Sequence, residues 1–226
     1  YVSYDLKEVF MFVRWANYRD SLMEGDAISM ATVVILFKVL FTFLVSIPIL
    51  LAGLGGTLQG MSFMLASLAY SVGWGIKFLR FPDKTFDRTI SWMGVFYMVT
   101  TVILPYLLIP WVWVLAPVVL HPAITGFGLF MSLYGTGLNL YADYHKFGAT
   151  SLVTDGPFHT SRHPNYGGMF LTHAGMCVLA GCWLPWVLLG WVWLALMYPN
   201  LVRLEDHMSS KYGATWRLYT VRSNFL

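Results

Sequence analysis

The chain has 226 residues, of which 58% are hydrophobic and 17% aromatic, whereas 11% are charged. Apolar runs of about twenty residues, the length that crosses roughly 30 Å of hydrocarbon, recur along the whole sequence. This composition excludes an ordinary soluble domain, and the net charge of +3 does not point to nucleic acid as a partner. It predicts an all-α, polytopic membrane helix bundle.

The N-terminal segment, residues 1–27, precedes the first long apolar run. Leu6, Val9, Phe10 and Val13 recur in it at helical spacing among charged residues. Such a pattern is typical of an amphipathic helix that lies on the membrane surface, so we expect this segment to anchor the chain there.

Six apolar segments follow, and we interpret them as transmembrane helices. The last two are separated by a few residues around Cys182, which predicts a tight antiparallel hairpin. Four spans thus occupy residues 28–142, while residues 143–226 contain a polar loop, the hairpin and a tail. The predicted spans are about residues 30–52, 58–79, 90–110, 119–142, 167–182 and 184–202.

Two features of the first three predicted spans depart from a plain apolar helix. Lys38 is the one charge that falls well inside a span, and an intramembrane charge could mark a functional site. We favour the alternative that this lysine marks the true start of the helix or extends its amine to the interface. Pro105 and Pro110 predict that the third span ends at one of them.

Basic residues concentrate on one side of the predicted topology. All lysines and arginines other than Lys38 fall in the N-terminal segment, the regions near residues 80–90 and 143–166, or the C-terminal tail. The acidic residues lie on the same side. This bias predicts that both termini and any polar site face the cytosol or its topological equivalent.

The polar loop LVTDGPFHTSRHPNYGG, residues 152–168, interrupts the apolar sequence. Its two prolines fix rigid, non-helical turns. Arg162 and His163 supply hydrogen-bond donors, and Tyr166 supplies an aromatic face and a hydroxyl. The glycine pair at residues 167–168 lets the next helix begin with open backbone amides, which suits a carboxylate or another anion.

The segment RLEDHMSSKYGATWRLY, residues 203–219, follows directly from the last span. Charged groups so close to a membrane segment tend to mark a site. Glu205 could bind an ammonium or ribose hydroxyls, and Arg203 a carboxylate, by charge-assisted hydrogen bonds. Because the predicted hairpin returns the chain to the charged face, we expect this segment to lie beside the polar loop.

Together these motifs resemble a known family. LVTDGPF, then RHPNYGG, a short hairpin, an acidic pair and KYGATWRLY are similar to the integral-membrane isoprenylcysteine carboxyl methyltransferases and phospholipid N-methyltransferase-like proteins, over roughly residues 140–226. The resemblance implies an S-adenosylmethionine-dependent methyltransferase whose substrate is a lipid or lipidated molecule, such as a prenylcysteine carboxylate or a phospholipid amine. It implies a cofactor-binding loop and a cytosolic tail within residues 143–226.

The resemblance also assigns roles to individual residues. Arg203 and Glu205 are the expected catalytic residues, with Arg203 at the polar head of the acceptor. In the prenylcysteine enzymes an arginine stands four residues before the glutamate, whereas Arg203 stands two before Glu205. Methyl transfer needs no metal, and the spacing of Cys177 and Cys182 is not that of a zinc site. The implied cofactor-binding residues are Thr150, Ser151, Leu152, Val153, Phe158, His163, Pro164, Asn165, Tyr166 and Glu205.

Two alternatives remain open at this stage. Sterol reductases and related membrane reductases, which use NADPH, also carry Arg-His-x-Asn-Tyr and end in a segment like DHMSSKYGATWRLY. They commonly have an acidic residue after the following glycine, where this chain has Met169, so we favour methyl transfer. The second alternative is an inactive family member that serves as a structural subunit of a membrane complex.

Overall fold

A computed structural model describes residues 6–82 and 86–226, with side chains from residue 14 onward. Within these ranges the chain forms a helical bundle with one small two-stranded sheet, which confirms the expected all-α class. A short 3-10 turn, Gly156–His159, lies in the polar loop. In chain order the helices and strands are α1 (Leu6–Met23), β1 (Glu24–Ser29), α2 (Met30–Leu51), α3 (Leu58–Arg80), β2 (Thr89–Ile90), α4 (Trp92–Met98), α5 (Leu104–Leu115), α6 (Pro122–Lys146), α7 (Pro164–Ala180), α8 (Leu184–Val192), α9 (Tyr198–Tyr212) and α10 (Ala214–Arg222).

Four helices in the described ranges are long and apolar enough to cross a membrane, so the count of six spans is not confirmed. Helix α6 corresponds to the predicted fourth span and is long enough to cross a membrane, but its sequence is not apolar enough to count among these four. Helix α7, the predicted fifth span, has 17 residues and is shorter than the usual spanning length of about 20. The four candidates are Met30–Leu51, Leu58–Arg80, Trp92–Leu115 and Leu184–Tyr212.

The third candidate span does not end at Pro105 or Pro110, as the sequence predicted, but continues to Leu115. A π-helical turn, Val99–Ile103, directly precedes α5, and the backbone N–H of Leu104 bonds to the carbonyl of Val99. This wider turn shifts the hydrogen-bond pattern by one residue, so the helix accommodates the missing N–H and the ring of Pro105.

The last candidate span also contains a π-helical turn before a proline, Pro199. A π-helical turn, Trp193–Met197, joins α8 to α9. Proline has no N–H, so the carbonyl of Ala195, four residues before Pro199, receives no hydrogen bond from the backbone nitrogen of Pro199. The indole N–H of Trp15 donates to this carbonyl instead, at 3.1 Å. The indole of Trp15 in α1 therefore bonds to a carbonyl that the proline leaves open, which docks α1 onto the turn between α8 and α9.

Helix α1 is held at two further points. Nη2 of Arg19 donates to Oδ1 of Asn200 in α9 at 2.7 Å. After α1, strand β1 pairs antiparallel with β2 and ties the N-terminal segment to the start of α4. The side chains of the four apolar residues that predict an amphipathic helix lie outside the described part, so membrane anchoring stays a prediction.

The predicted C-terminal hairpin is confirmed. Helix α7 ends at Ala180, Gly181 adopts a left-handed φ of 68°, and α8 begins at Leu184. Glycine is suited to this position because the left-handed region strains residues that carry a Cβ. The hairpin packs into a core whose fully buried side chains include Phe41, Phe63, Trp113, Leu179 and Leu189. It returns the chain toward the polar loop.

The backbones of helices α6 and α7 approach each other closely near the start of α7, next to this loop. A Cβ added at Gly168 would lie 2.6 Å from the carbonyl oxygen of Gly135 and 2.6 Å from the backbone nitrogen of Asn139. Both neighbours are backbone atoms, which cannot rotate away as a flexible side chain could. The contact therefore requires glycine.

We expect Gly168→Ala to destabilise the fold by about 1–3 kcal/mol, because the added methyl group overpacks the α6–α7 contact. Gly167→Ala is the matched control, since a Cβ there meets nothing within 4 Å. Thermal unfolding of both variants in the same detergent measures the difference. Equal midpoints for the two alanine variants would contradict the close contact.

Candidate functional site

The polar loop and the C-terminal segment meet at Glu205. Nε of Arg162 donates to Oε1 of Glu205 at 3.0 Å, and Nε2 of His163 lies 2.5 Å from the same oxygen. His163 is 2% exposed. The expectation that the hairpin brings the two polar segments together is therefore confirmed, and the carboxylate is clamped between two nitrogen groups of the loop.

Arg162 also fastens the end of the chain over the loop. Its Nη1 donates to the carbonyls of Thr220 at 3.2 Å and Ser223 at 2.8 Å. The hydroxyl of Tyr219 donates to the carbonyl of Phe158, and burial raises the pKa of this tyrosine, so it keeps its proton as a donor. The loop and α10 thus form one structural unit.

A cavity of about 600 Å³, which we call the loop cavity, lies beneath this unit. Four of the expected cofactor residues line it: Ser151, Leu152, Val153 and Phe158. Arg162 lines it as well, together with Met208, Tyr212, Trp216 and Tyr219 from α9 and α10. The other six expected residues do not line it. Thr150 is exposed, Pro164 borders a separate outer groove, and Asn165 and Tyr166 line a second cavity described below. His163 and Glu205 form the contact beside Arg162 described above.

The lining of the loop cavity includes a cluster of charges around a buried carboxylate, which the sequence did not reveal. Lys77 of α3 forms an ion pair with Oδ2 of Asp143 in α6, and Nζ of Lys146 lies 2.8 Å from Oδ1 of the same carboxylate. Asp143 is 2% exposed. The spacing of Asp143 and Lys146 on one helix could have indicated their pairing, but Lys77 is distant in sequence.

A second cavity of about 220 Å³, which we call the helix cavity, lies between the helices. Asn165, Tyr166 and Arg203 line it, and Lys77 lines both cavities. Side chains two positions apart on a helix point to different sides, so Arg203 faces the helix cavity whereas Glu205 faces the loop. The structure does not bring the two expected catalytic residues together.

The polar loop and Glu205 lie in a region that matches a family model. Residues 123–215 match the family model described as phospholipid methyltransferase, and they include the polar loop, the hairpin and Glu205. We refer to residues 123–215, which are similar to this family, as the phospholipid methyltransferase segment. The expected resemblance is confirmed over this range, which is less than half of the chain, whereas the resemblance to sterol reductases is not shown. No curated protein and no solved structure matches the chain.

Part of the helix cavity is built by α1, which lies outside the phospholipid methyltransferase segment. Nη1 of Arg203 donates to Oδ2 of Asp20 at 2.5 Å, and Nη2 of Arg19 donates to Oδ1 of Asp20 at 2.9 Å. Burial alone would raise the pKa of Asp20, but the hydrogen bonds from Arg203 and Arg19 outweigh it and lower the pKa. The sequence missed this contact because Asp20 and Arg203 are 183 positions apart.

The lowered pKa of Asp20 predicts an acid-sensitive contact between α1 and α9. A carboxylate with a depressed native pKa contributes stability above its unfolded value of about 3.9, and this contribution is lost as pH falls through the native pKa. We therefore expect the thermal unfolding temperature to fall as the pH is lowered below about 4. In Asp20→Asn this fall should be less steep. Thermal unfolding across pH 3 to 7 measures this, and identical profiles would contradict the contribution of Asp20.

Lys38 also lines the helix cavity, and our preferred interpretation of it was wrong. The residue lies inside α2, is buried, and donates to the hydroxyl of Tyr70. Its amine does not extend to the interface, because the rings of Tyr70 and Trp74 surround it, each at 4.5 Å from Nζ. The alternative interpretation, that an intramembrane charge marks a functional site, stays a prediction.

Proposed function

We propose that the protein is a membrane-embedded methyltransferase that uses S-adenosylmethionine and methylates a lipophilic acceptor. The observation that carries the proposal is the pair of cavities at the phospholipid methyltransferase segment. The loop cavity has charged and aromatic walls, the helix cavity is largely apolar, and both are lined by Lys77. The polar methyl donor would therefore bind in the loop cavity, and the lipophilic methyl acceptor in the adjoining helix cavity.

The residues of the loop cavity fit S-adenosylmethionine. Its volume of about 600 Å³ lies within the roughly 300–1,000 Å³ of small-molecule sites. Arg162 and Lys146 would hold the carboxylate of the cofactor, and Asp143 its ammonium group. The rings of Phe158 and Trp216 offer apolar faces to the adenine.

The chain's own residues then have three tasks. When bound, S-adenosylmethionine supplies a methyl group on a positively charged sulfur, so the protein has to align donor and acceptor and keep water out. Glu205 fixes Arg162 and His163, and the tail fastened by Arg162 covers the cavity. Arg203 binds the polar head of the acceptor. We place this site on the cytosolic side, as the basic residues indicate.

Ligand-induced stabilisation tests this function. We expect S-adenosylhomocysteine at 100 times its dissociation constant to stabilise the purified protein by about 2.7 kcal/mol, which is a rise of several degrees in the unfolding midpoint. NADPH is the comparison ligand. Stabilisation by NADPH alone would support the reductase alternative, and no response to either ligand would support a structural subunit of a membrane complex.

A further inference from the structure

The helix cavity has an unusual charge composition for a largely apolar site. Among the described residues that line it, five carry cationic side chains and none carries an acidic one. Arg203 alone of these belongs to the phospholipid methyltransferase segment. The others come from α1, α2, α3 and the segment before β2. The cationic lining residues are Arg19, Lys38, Lys77, Arg88 and Arg203.

Three of these cations share one carboxylate. Asp20 contacts Arg19 at 2.9 Å, Arg203 at 2.5 Å and Arg88 at 3.6 Å. Three guanidinium groups around a single carboxylate leave an excess of two positive charges. A guanidinium keeps its proton throughout the accessible pH range, so this excess cannot be removed by deprotonation. An anion in the cavity would balance it.

Arg19 has a donor that is available to such an anion. The side chain is 2% exposed, and its Nε and Nη2 bond to Asp20 and Asn200. Among the described residues, its buried Nη1 has no hydrogen-bond partner, and the same is true of the hydroxyl of Tyr106, which also lines the cavity. Buried donors without a partner are costly, which indicates that a ligand satisfies them.

Lys38 of α2 adds a second buried nitrogen donor to the lining of the helix cavity. Within the described ranges no acidic side chain forms an ion pair with it, and its one hydrogen bond goes to Tyr70. An ammonium group carries three N–H donors, so the aromatic ring contacts leave hydrogen-bonding capacity unused. The nearby cation Lys77 is already paired with Asp143.

We propose that the helix cavity binds the oxyanion head, a carboxylate or a phosphate, of a membrane amphiphile with net negative charge, and that Arg19 and Lys38 are its specificity-determining residues. The apolar part of the lining, including Met23, Met30 and Val34, receives the start of the hydrocarbon chain. The identification of this amphiphile as the methyl acceptor rests on the proposed function. Anion selectivity does not, because it depends on the cavity's charges alone.

Binding to purified protein in a neutral maltoside detergent tests this site without a methyl donor. The probes are dihexanoyl phosphatidic acid, hexadecanoate and dihexanoyl phosphatidylcholine, titrated by native mass spectrometry. We expect at least one anionic probe to bind at least about tenfold more tightly than the zwitterion, and the stronger of the two identifies the head group. Equal affinity for all three probes, or a preference for the zwitterion, would overturn the proposal.

Variants locate the binding. Arg19→Gln and Lys38→Met are each expected to weaken the binding of the anionic probe at least about tenfold. Arg217→Gln, which removes an exposed cation from α10, should leave the affinity unchanged. Lys38→Met preserves length and places an apolar group among aromatic rings, so it remains informative if Arg19→Gln does not fold. Unchanged affinity in Lys38→Met would remove Lys38 from the site.

The same preparations separate this inference from the proposed function. Protein that is stabilised by S-adenosylhomocysteine but does not select anionic probes would overturn the anion site and leave methyl transfer supported. Protein that selects anionic probes but does not respond to S-adenosylhomocysteine would support the site and overturn the methyltransferase proposal.

Discussion

Glu205→Gln is expected to weaken the binding of S-adenosylhomocysteine at least about tenfold and to cost about 3 kcal/mol of stability. The carboxylate is the shared acceptor of Arg162 and His163. Its replacement by a neutral amide leaves the guanidinium group largely buried without its counter-ion. Arg162 also holds the carbonyls of Thr220 and Ser223, so its displacement would open the cover of the loop cavity.

Asp206→Asn is the matched control for this substitution. It removes a carboxylate from the neighbouring position of α9, but Asp206 is exposed, and we expect its effect to stay within about 0.5 kcal/mol. Equilibrium binding and thermal unfolding are measured for both variants, and His163→Ala extends the series. If Glu205→Gln and His163→Ala remain folded and bind S-adenosylhomocysteine with wild-type affinity, the cofactor site is misplaced.

The sequence predicted those parts of the fold that depend on local pattern and on short connections. The few residues around Cys182 forced an antiparallel hairpin, and this geometry alone placed Glu205 beside Arg162 and His163. Helix ends at prolines were less predictable. Two π-helical turns accommodate Pro105 and Pro199. No local sequence pattern predicts the one-residue shift in backbone hydrogen bonding that such a turn requires.

The cavities were only partly predictable, because they depend on long-range packing. The motif residues Ser151 to Val153 and Phe158 line the loop cavity as a group, since they lie on one contiguous loop. Asp20 and Arg203 come together because the indole of Trp15 and the side chain of Arg19 dock α1 onto α9 and the π-helical turn before it. Such a contact leaves no periodic pattern in either segment.

Asp143→Asn is expected to have the largest effect on stability, with a loss of about 3–5 kcal/mol. Asp143 is buried between Lys77 and Lys146, and without its charge two ammonium groups face each other at the wall shared by the two cavities. Removal of one partner from a buried ion pair leaves the other charge desolvated without compensation. The unfolding midpoint should fall by roughly 10 °C or more for a chain of this size.

The ion pair between Asp155 and His145 provides the control, because it also involves the end of α6 but lies at the surface. The side chain of Asp155 is 81% exposed, and exposed pairs contribute about 0–1 kcal/mol. Asp155→Asn should therefore unfold close to the wild type, while Asp143→Asn unfolds well below it and loses affinity for S-adenosylhomocysteine. Equal midpoints would mean that Asp143 is not the buried counter-ion of Lys77. A large loss of stability with unchanged affinity in the folded protein would remove Asp143 from the cofactor site and leave it a structural role at the wall between the cavities.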